Sequence, residues 1–302
     1  MSPPVRTALA GVFAAALLAA MAGYAWRHYE ERPVFAAAAS DEAAPQALPP
    51  PPPEARENNA APDEDLPVPP EPPRIAEGED YERCLAMLRQ SPETARTMAE
   101  AWEKRGGGDG AKHCLALSLL ALGQPEIGAR RLEALADESH ANGAARASVL
   151  GQAGQAWMMA GQPDRAYGAI TMALGITPHD TALMIDRAVA AGTLGRYAEA
   201  IEDLDRVLEV DGDRVEAWVF RAAALRHLDR TQAAMQDIAR ALELDPQNAE
   251  ALLERGILRQ MAGDTAGARV DWEKVVELSP DSPTADLAQQ NLALNQAGPA
   301  RR

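Results

Sequence analysis

Aromatic residues are scarce in this chain: three Phe, five Trp and five Tyr among 302 residues. The hydrophobic fraction of 47% is ample for a core, but Ala and Leu carry much of it. Sheets draw on β-branched and aromatic side chains, so the scarcity argues against a sheet protein and for close-packed helices. Positive charge is also short. There are 29 Lys and Arg against 45 Asp and Glu, a net charge of −16. Neutralising a phosphate backbone takes a basic surface, so no nucleic-acid partner is expected, nor docking on an anionic lipid surface. The five histidines, His28, His113, His140, His179 and His227, are scattered, and the cysteines are limited to Cys84 and Cys114. No catalytic arrangement emerges from them, so neither enzymatic activity nor a cofactor or metal is expected. Acidic pairs such as Glu202-Asp203 and Asp211/Asp213 read as solvated helix faces and turns.

The one long apolar run stands near the start. After a short tail (1–6), residues 7–26 read TALAGVFAAALLAAMAGYAW, with no charge before Arg27. About 20 apolar residues at ~1.5 Å each span the ~30 Å hydrocarbon layer, and Tyr24 and Trp26 fall where interfacial aromatics belong. Small residues at Ala20, Ala22, Gly23 and Ala25 also suit a signal peptidase, so an uncleaved membrane anchor and a cleaved export signal both stay open. Arg6 on one side and Arg27 and Arg32 on the other leave the positive-inside count nearly balanced. A segment so close to the N-terminus is expected to deliver the remainder of the chain out of the cytoplasm, into the periplasm if the cell is Gram-negative. A cytoplasmic domain, with reduced thiols, is the opposite orientation.

Residues 27–78 form a Pro-rich, acidic stretch. Between Pro33 and Pro73 there are 13 prolines in 41 residues, including the unbroken Pro49–Pro53. Such a composition buries too little apolar surface to offset its ordering entropy. Proline biases it to an extended form of ~3.1 Å per residue, a reach on the order of 100 Å. A spacer that holds the C-terminal domain away from a bilayer is the expectation; a PxxP-type ligand is the alternative.

Beyond residue 146 the chain repeats every 34 residues, in units 147–180, 181–214, 215–248 and 249–282, without an insertion. Position 8 is always small (Gly154, Ala188, Ala222, Gly256), position 20 always Ala (Ala166, Ala200, Ala234, Ala268), and position 24 always bulky (Ile170, Leu204, Ile238, Trp272). Helices approach closely only where the facing surfaces are small, so positions 8 and 20 mark a contact between two antiparallel helices, with position 24 filling the space beside it. Gly161, Gly195 and Gly263 suit the left-handed residue that ends a helix, and Asp229 stands in the same place. Pro178, Pro246 and Pro280 block continuation of the second helix. Residues 283–296 then read as a capping helix, with Ser282 as N-cap and Pro283 at its first position; Leu287, Ala288, Leu292 and Leu294 are expected to cover Trp272 and Val276.

This length and this small–Ala–bulky–Pro pattern resemble the tetratricopeptide repeat. The resemblance covers residues 147–282, and departs from the family in the large residue of position 4, a Trp only at Trp218, and in the Tyr of position 17, present only as Tyr197. It implies an all-α fold: a right-handed α-solenoid of helix-turn-helix repeats. Residues 109–142 fit the same template in degraded form, with Ala116, Gly123, Gly128 and Leu132 at its key places, and 81–90 and 91–105 read as another helical pair, so that 79–146 are expected to be degenerate helical repeats. Ser91 and Pro92 open a helix there, and residues 143–146 make a four-residue slip before the first clear unit.

Within that architecture the stretch RGGGDGAKHC (105–114) falls between two helical pairs. A phosphate cradle needs a preceding strand and a Gly-Lys-Ser/Thr ending; here Lys112 follows Ala111 and His113 follows Lys112. Cys84 and Cys114 lie on the first helices of neighbouring pairs, and in an oxidising compartment a disulfide between them is the leading expectation. Two separately buried thiols are the alternative. A zinc site with His113 lacks an evident fourth ligand.

The family generally binds peptides or partner proteins in a concave groove lined by first-helix positions 2, 5, 9, 12 and 13. The resemblance carries that role onto Met158, Met159, Ile185, Val189, Val219, Arg226, His227, Leu253, Ile257 and Met261. The Lys and Asn that clamp a terminal carboxylate in chaperone-binding members are missing: position 5 holds Gly151, Ile185, Val219 and Leu253. An apolar, methionine-bearing groove suits an apolar extended segment or an amphipathic helix. Two functions stay open. One is a non-catalytic, membrane-tethered adaptor for a protein or peptide client, in envelope assembly or biogenesis. The other is a self-associating spacer of the envelope, a homo-oligomer without a groove ligand.

Overall fold

The computed structural model describes residues 73–297, all in helices and short turns. The helices are α1 (Glu79–Gln90), α2 (Pro92–Lys104), α3 (Gly108–Ala121), α4 (Pro125–Glu138), α5 (Gly143–Met159), α6 (Pro163–Ile176), α7 (Thr181–Thr193), α8 (Tyr197–Val210), α9 (Val215–His227), α10 (Thr231–Leu244), α11 (Ala249–Met261), α12 (Thr265–Leu278) and α13 (Pro283–Ala297). They stack as helical pairs, the first of each pair odd-numbered, with α13 closing the array. The apolar run 7–26 and the linker up to residue 72 lie outside the described residues. Among those described, no helix is long and apolar enough to cross a membrane.

The helix ends follow from local chemistry. Pro92, Pro125 and Pro163 sit in the first turns of α2, α4 and α6, where a missing N–H costs nothing. Asn142, Asp180, Asn248 and Asp264 accept backbone N–H bonds at the starts of α5, α7, α11 and α12. The turn inside each pair after the first is one motif repeated. The N–H of Gln124, Gln162, Arg196, Arg230 and Asp264 reaches the carbonyl five residues back, at 2.8–2.9 Å. This is the longer bond of a Schellman turn, which requires a left-handed residue just before the donor. Gly123, Gly161, Gly195 and Gly263 fill that place, and Asp229 does so at φ 59°.

Close approach within a pair rests on positions 8 and 24 directly. A Cβ built on Gly154 would lie 2.4 Å from the side chain of Ile170, and one on Gly256 would lie 2.3 Å from the indole of Trp272. Where position 24 is Leu204 or Ile238, position 8 is Ala188 or Ala222, so in every clear unit a bulky residue on one helix faces a small one on the other. Position 24 therefore packs onto position 8, not merely beside it. The core is a row of such contacts linked end to end, and each unit packs mainly against its neighbours.

The structure departs from the sequence reading in three places. Residues 143–146 are no slip: they form an extra first turn of α5, capped by the Asn142 side chain, which accepts from Ala145 N at 2.9 Å. The glycines of RGGGDG do more than turn the chain. Gly107 and Gly110 leave room for Trp102, whose ring a Cβ at either position would meet within 2.8 Å. In α13, Ala288 and Leu292 join the cluster of Trp272 and Val275, but Leu294 points to solvent.

Cys84 of α1 and Cys114 of α3 are joined as a disulfide in the structure, with Cα atoms 6.3 Å apart. Both are buried, beside Ala99, Leu115 and Leu119.

Substituting Gly256→Ala overpacks the Trp272 contact and should cost about 1–3 kcal/mol, read as a lowered urea midpoint. The double variant Gly256→Ala/Trp272→Leu reproduces the Ala188–Leu204 pairing and should recover most of that loss.

Candidate functional site

The inner layer of the stack is made by first helices. α5, α7, α9, α11 and α13 each touch the next in line, and α1 touches α3. A position-5 side chain consequently faces the neighbouring first helix, not an open groove. Even the glycine at that place is crowded: a Cβ on Gly151 would lie 2.6 Å from Leu183 of the next unit.

That geometry sorts the residues assigned to the groove. Met158, Ile185, Val189 and Val219 are core residues, between 0% and 6% exposed. Arg226, His227, Leu253 and Ile257 are half-buried. Met159 and Met261 are exposed, at 55% and 53%. The structure thus does not bring the ten together as one apolar surface. What first helices offer outward is the rim around position 13, with half-buried Phe220, Leu253 and Ile257 beneath it.

A row of polar contacts along the inner layer was not anticipated. His113 of α3 bonds Tyr81 of α1 through Nδ1 at 2.6 Å and Gln152 of α5 through Nε2 at 2.7 Å. The Gln152 oxygen accepts, so Nε2 carries the proton and Nδ1 accepts from the Tyr81 hydroxyl. Burial holds this imidazole below its ordinary value, against the opposing pull of Gln152. With both ring nitrogens used and the two cysteines bonded to each other, His113, Cys84 and Cys114 do not form a metal site. Among the described residues no cluster of three or more His, Cys, Asp or Glu is placed to hold a metal.

Further along, Gln155 Nε2 of α5 donates to Asp186 Oδ2 of α7 at 3.0 Å. Burial pushes the Asp186 carboxyl up to about 7, the Gln155 bond opposing and Asp180 adding to the rise. Arg226 of α9 grips both oxygens of Glu254 on α11. His227 stacks on Tyr197 with ring centroids 4.5 Å apart. Burial first, and then the Arg226 charge, push its imidazole down to about 4.

A second polar pattern ties the two helices of a pair. Arg187 donates to both oxygens of Asp203 at 2.7 Å. Arg221 does the same to Asp237 at 2.8 and 2.9 Å, and Arg255 to Asp271 at 3.0 and 2.7 Å. These are positions 7 and 23, sixteen residues apart in each unit. In the first clear unit both are alanine, Ala153 and Ala169. Asp203, Asp237 and Asp271 are 4%, 6% and 2% exposed, which corrects the reading of Glu202-Asp203 as a solvated pair. Glu202 is solvated; Asp203 is a buried partner of arginine. Asp211 and Asp213 do lie in a turn, where the Asp211 carboxylate accepts from Asp213 N. The signal for the pairs was present in the sequence, as an Arg and an Asp that recur together and vanish together.

Comparison with known proteins agrees with this architecture. The tetratricopeptide repeat family model matches residues 185–249 and 236–283. No curated protein matches the chain. Among solved structures, the C-terminal part of a TPR repeat-containing protein from Cytophaga hutchinsonii is 14% identical, with a TM-score of 0.53 over 73% of this chain and 96% of that one. The APC/C hetero-tetramer Cut9–Hcn1 is 15% identical, with a TM-score of 0.53 over 70% of this chain and 42% of that one. The first TPR of Spaghetti (RPAP3), bound to the HSP90 peptide SRMEEVD, is 29% identical over 40% of this chain and 93% of its own, with a TM-score of 0.37. The described helices form a tetratricopeptide-like solenoid.

The ionisable groups have two testable consequences. Arg187→Ala alone strands a buried carboxylate and should cost about 2–3 kcal/mol. Arg187→Ala/Asp203→Ala copies the first unit and should cost at least ~1 kcal/mol less than the summed single variants, measured by chemical unfolding. For Asp186 the folded-state value lies above the unfolded one. Its contribution is therefore full below about 3.8 and lost as pH rises through about 7. The stability of the parent relative to Asp186→Asn should fall across that window and level off above it; a flat difference would show that the carboxyl is not held in its neutral form.

Proposed function

We propose that the chain is a non-catalytic adaptor, tethered to a membrane through residues 7–26 and carrying its solenoid outside the cytoplasm, where the first-helix rim binds a protein client. The observation that carries the reading is how the polar groups are used. In the described residues the buried carboxylates and the buried imidazole of His113 go into ion pairs with arginine and inter-helix hydrogen bonds. The exposed apolar side chains Met159 and Met261 meanwhile stand at the same place in the first and last units. Thioethers on flexible side chains suit a partner surface that varies in shape. The tethered, extracytoplasmic placement is supported by the apolar run and the proline-rich spacer, and by the disulfide of Cys84 and Cys114, a bond that persists in oxidising compartments. The acidic balance of the chain, −16 in all, opposes docking on anionic lipid headgroups and leaves it to the spacer to set the distance from the bilayer.

The test places a photo-crosslinking amino acid at position 159 or 261 on the rim, and at 206 or 236 on exposed faces of second helices, in the full-length protein in its own cells. One defined client adduct from 159 and 261 and none from 206 and 236 is the expected outcome. Equal adducts from both faces, or adducts only with a second copy of the chain, would refute client binding at the rim.

A further inference from the structure

The first helical pair is tied to its neighbour by a covalent bond, which no later pair has. α1 and α2 bury Tyr81, Cys84, Leu88, Ala95 and Ala99 between them, no more apolar side chains than α3 alone contributes. Like the two pairs that follow it, this pair lacks the Arg–Asp bond that joins α7 to α8, α9 to α10 and α11 to α12. It packs against α3 through a cluster of Cys84, Ala99, Cys114, Leu115 and Leu119, with Met98 and Trp102 around it, and joins the main core through Tyr81, Leu85 and Trp102. The remaining polar ties to α3 and α4 are Tyr81 to His113, and a half-exposed Arg131 to Glu103 contact at 3.4 Å.

An end unit of a solenoid has one neighbour and opens first. Here the disulfide sits within the apolar contact of the pair with α3, across a separation of 30 residues. We propose that the first pair, residues 79–104, is a redox-latched end unit: docked while the Cys84–Cys114 bond is closed, and opening by itself once a dithiol reductant has cut that bond. The reductant's two thiols form its own disulfide, and its two electrons and two protons go to Cys84 Sγ and Cys114 Sγ. Opening uncovers Ala111, Leu115 and Leu119 on α3 and takes Tyr81 away from His113, at the start of the polar row along the inner layer. The redox state thereby sets how much of that layer the protein offers. The latch rests on the bond being closed in the native protein, as in the function proposed above.

The test is hydrogen exchange of the full-length protein, before and after dithiothreitol, with thiols counted by alkylation. No alkylatable thiol before reduction and two after it are expected. Peptides from 79–104 should then lose protection on the order of a hundredfold, the scale of a cross-link closing a loop of this size, while those of α5–α12 keep theirs. Cys84→Ser/Cys114→Ser should match the reduced parent, its fold verified by the same α5–α12 peptides. Unchanged protection at 79–104 after reduction, or loss throughout the solenoid together, would overturn the latch. Two reactive thiols in the untreated protein would instead overturn the closed bond itself, whatever the rim binds.

Discussion

The contact between positions 8 and 24 is the constraint on which the rest of this structure depends. It brings the two helices of a pair so close that a methyl group on Gly154 or Gly256 has no room. Once the pair is fixed at that distance, the turn between its helices has to be tight, which demands a left-handed residue at one place in every unit. With turn and contact both fixed, the pairs stack in one register. Their first helices then touch each other and absorb position 5 into the core. The groove assigned from the repeat pattern narrows to a rim for that reason: the close packing that builds the solenoid also consumes much of its inner surface.

The same geometry explains how so acidic a chain keeps carboxylates inside. Position 23 lies where a second helix turns back against position 7 of the first, a site too enclosed for an unpaired charge. The structure meets this in two ways. Three units place a forked arginine against the aspartate, and one removes both partners. An arginine or an aspartate alone would be the costly choice, and neither occurs in the four clear units. The unpaired negative charge remains on exposed helix faces and turns, where it is solvated and opposes association with polyanions.

The fold was legible in the sequence to the extent that backbone needs fix residue types. Small position 8, Ala at 20 and glycine at the turn have no substitute of similar geometry, so they recur and can be counted; Asp229 was readable as their equivalent because Asp tolerates the left-handed region. The extra turn of α5 was not legible, since Gly143 looks like a breaker and the Asn142 cap becomes clear only once the helix is seen. The inner polar row was hidden for another reason. Tyr81, His113 and Gln152 come from three units and share no period, so only three-dimensional stacking brings them together. The binding surface was legible least of all. A repeat pattern tells which positions face inward but not whether the next unit covers them, and burial at Ile185, Val189 and Val219 depends on the curvature of the whole stack.

In the proposed adaptor the close-packed solenoid, the buried disulfide and the proline-rich stretch serve one arrangement, with the rim held clear of a membrane on its oxidising side. The most direct measurement is the compartment of the solenoid, read from reporters fused after Arg302 of the full chain. A phosphatase that is active only where disulfides form should be active in this position, and a fluorescent protein that matures only in the cytoplasm should be dark. A bright fluorescent fusion with an inactive phosphatase would place the solenoid in the cytoplasm and contradict the tethered, oxidised adaptor described here.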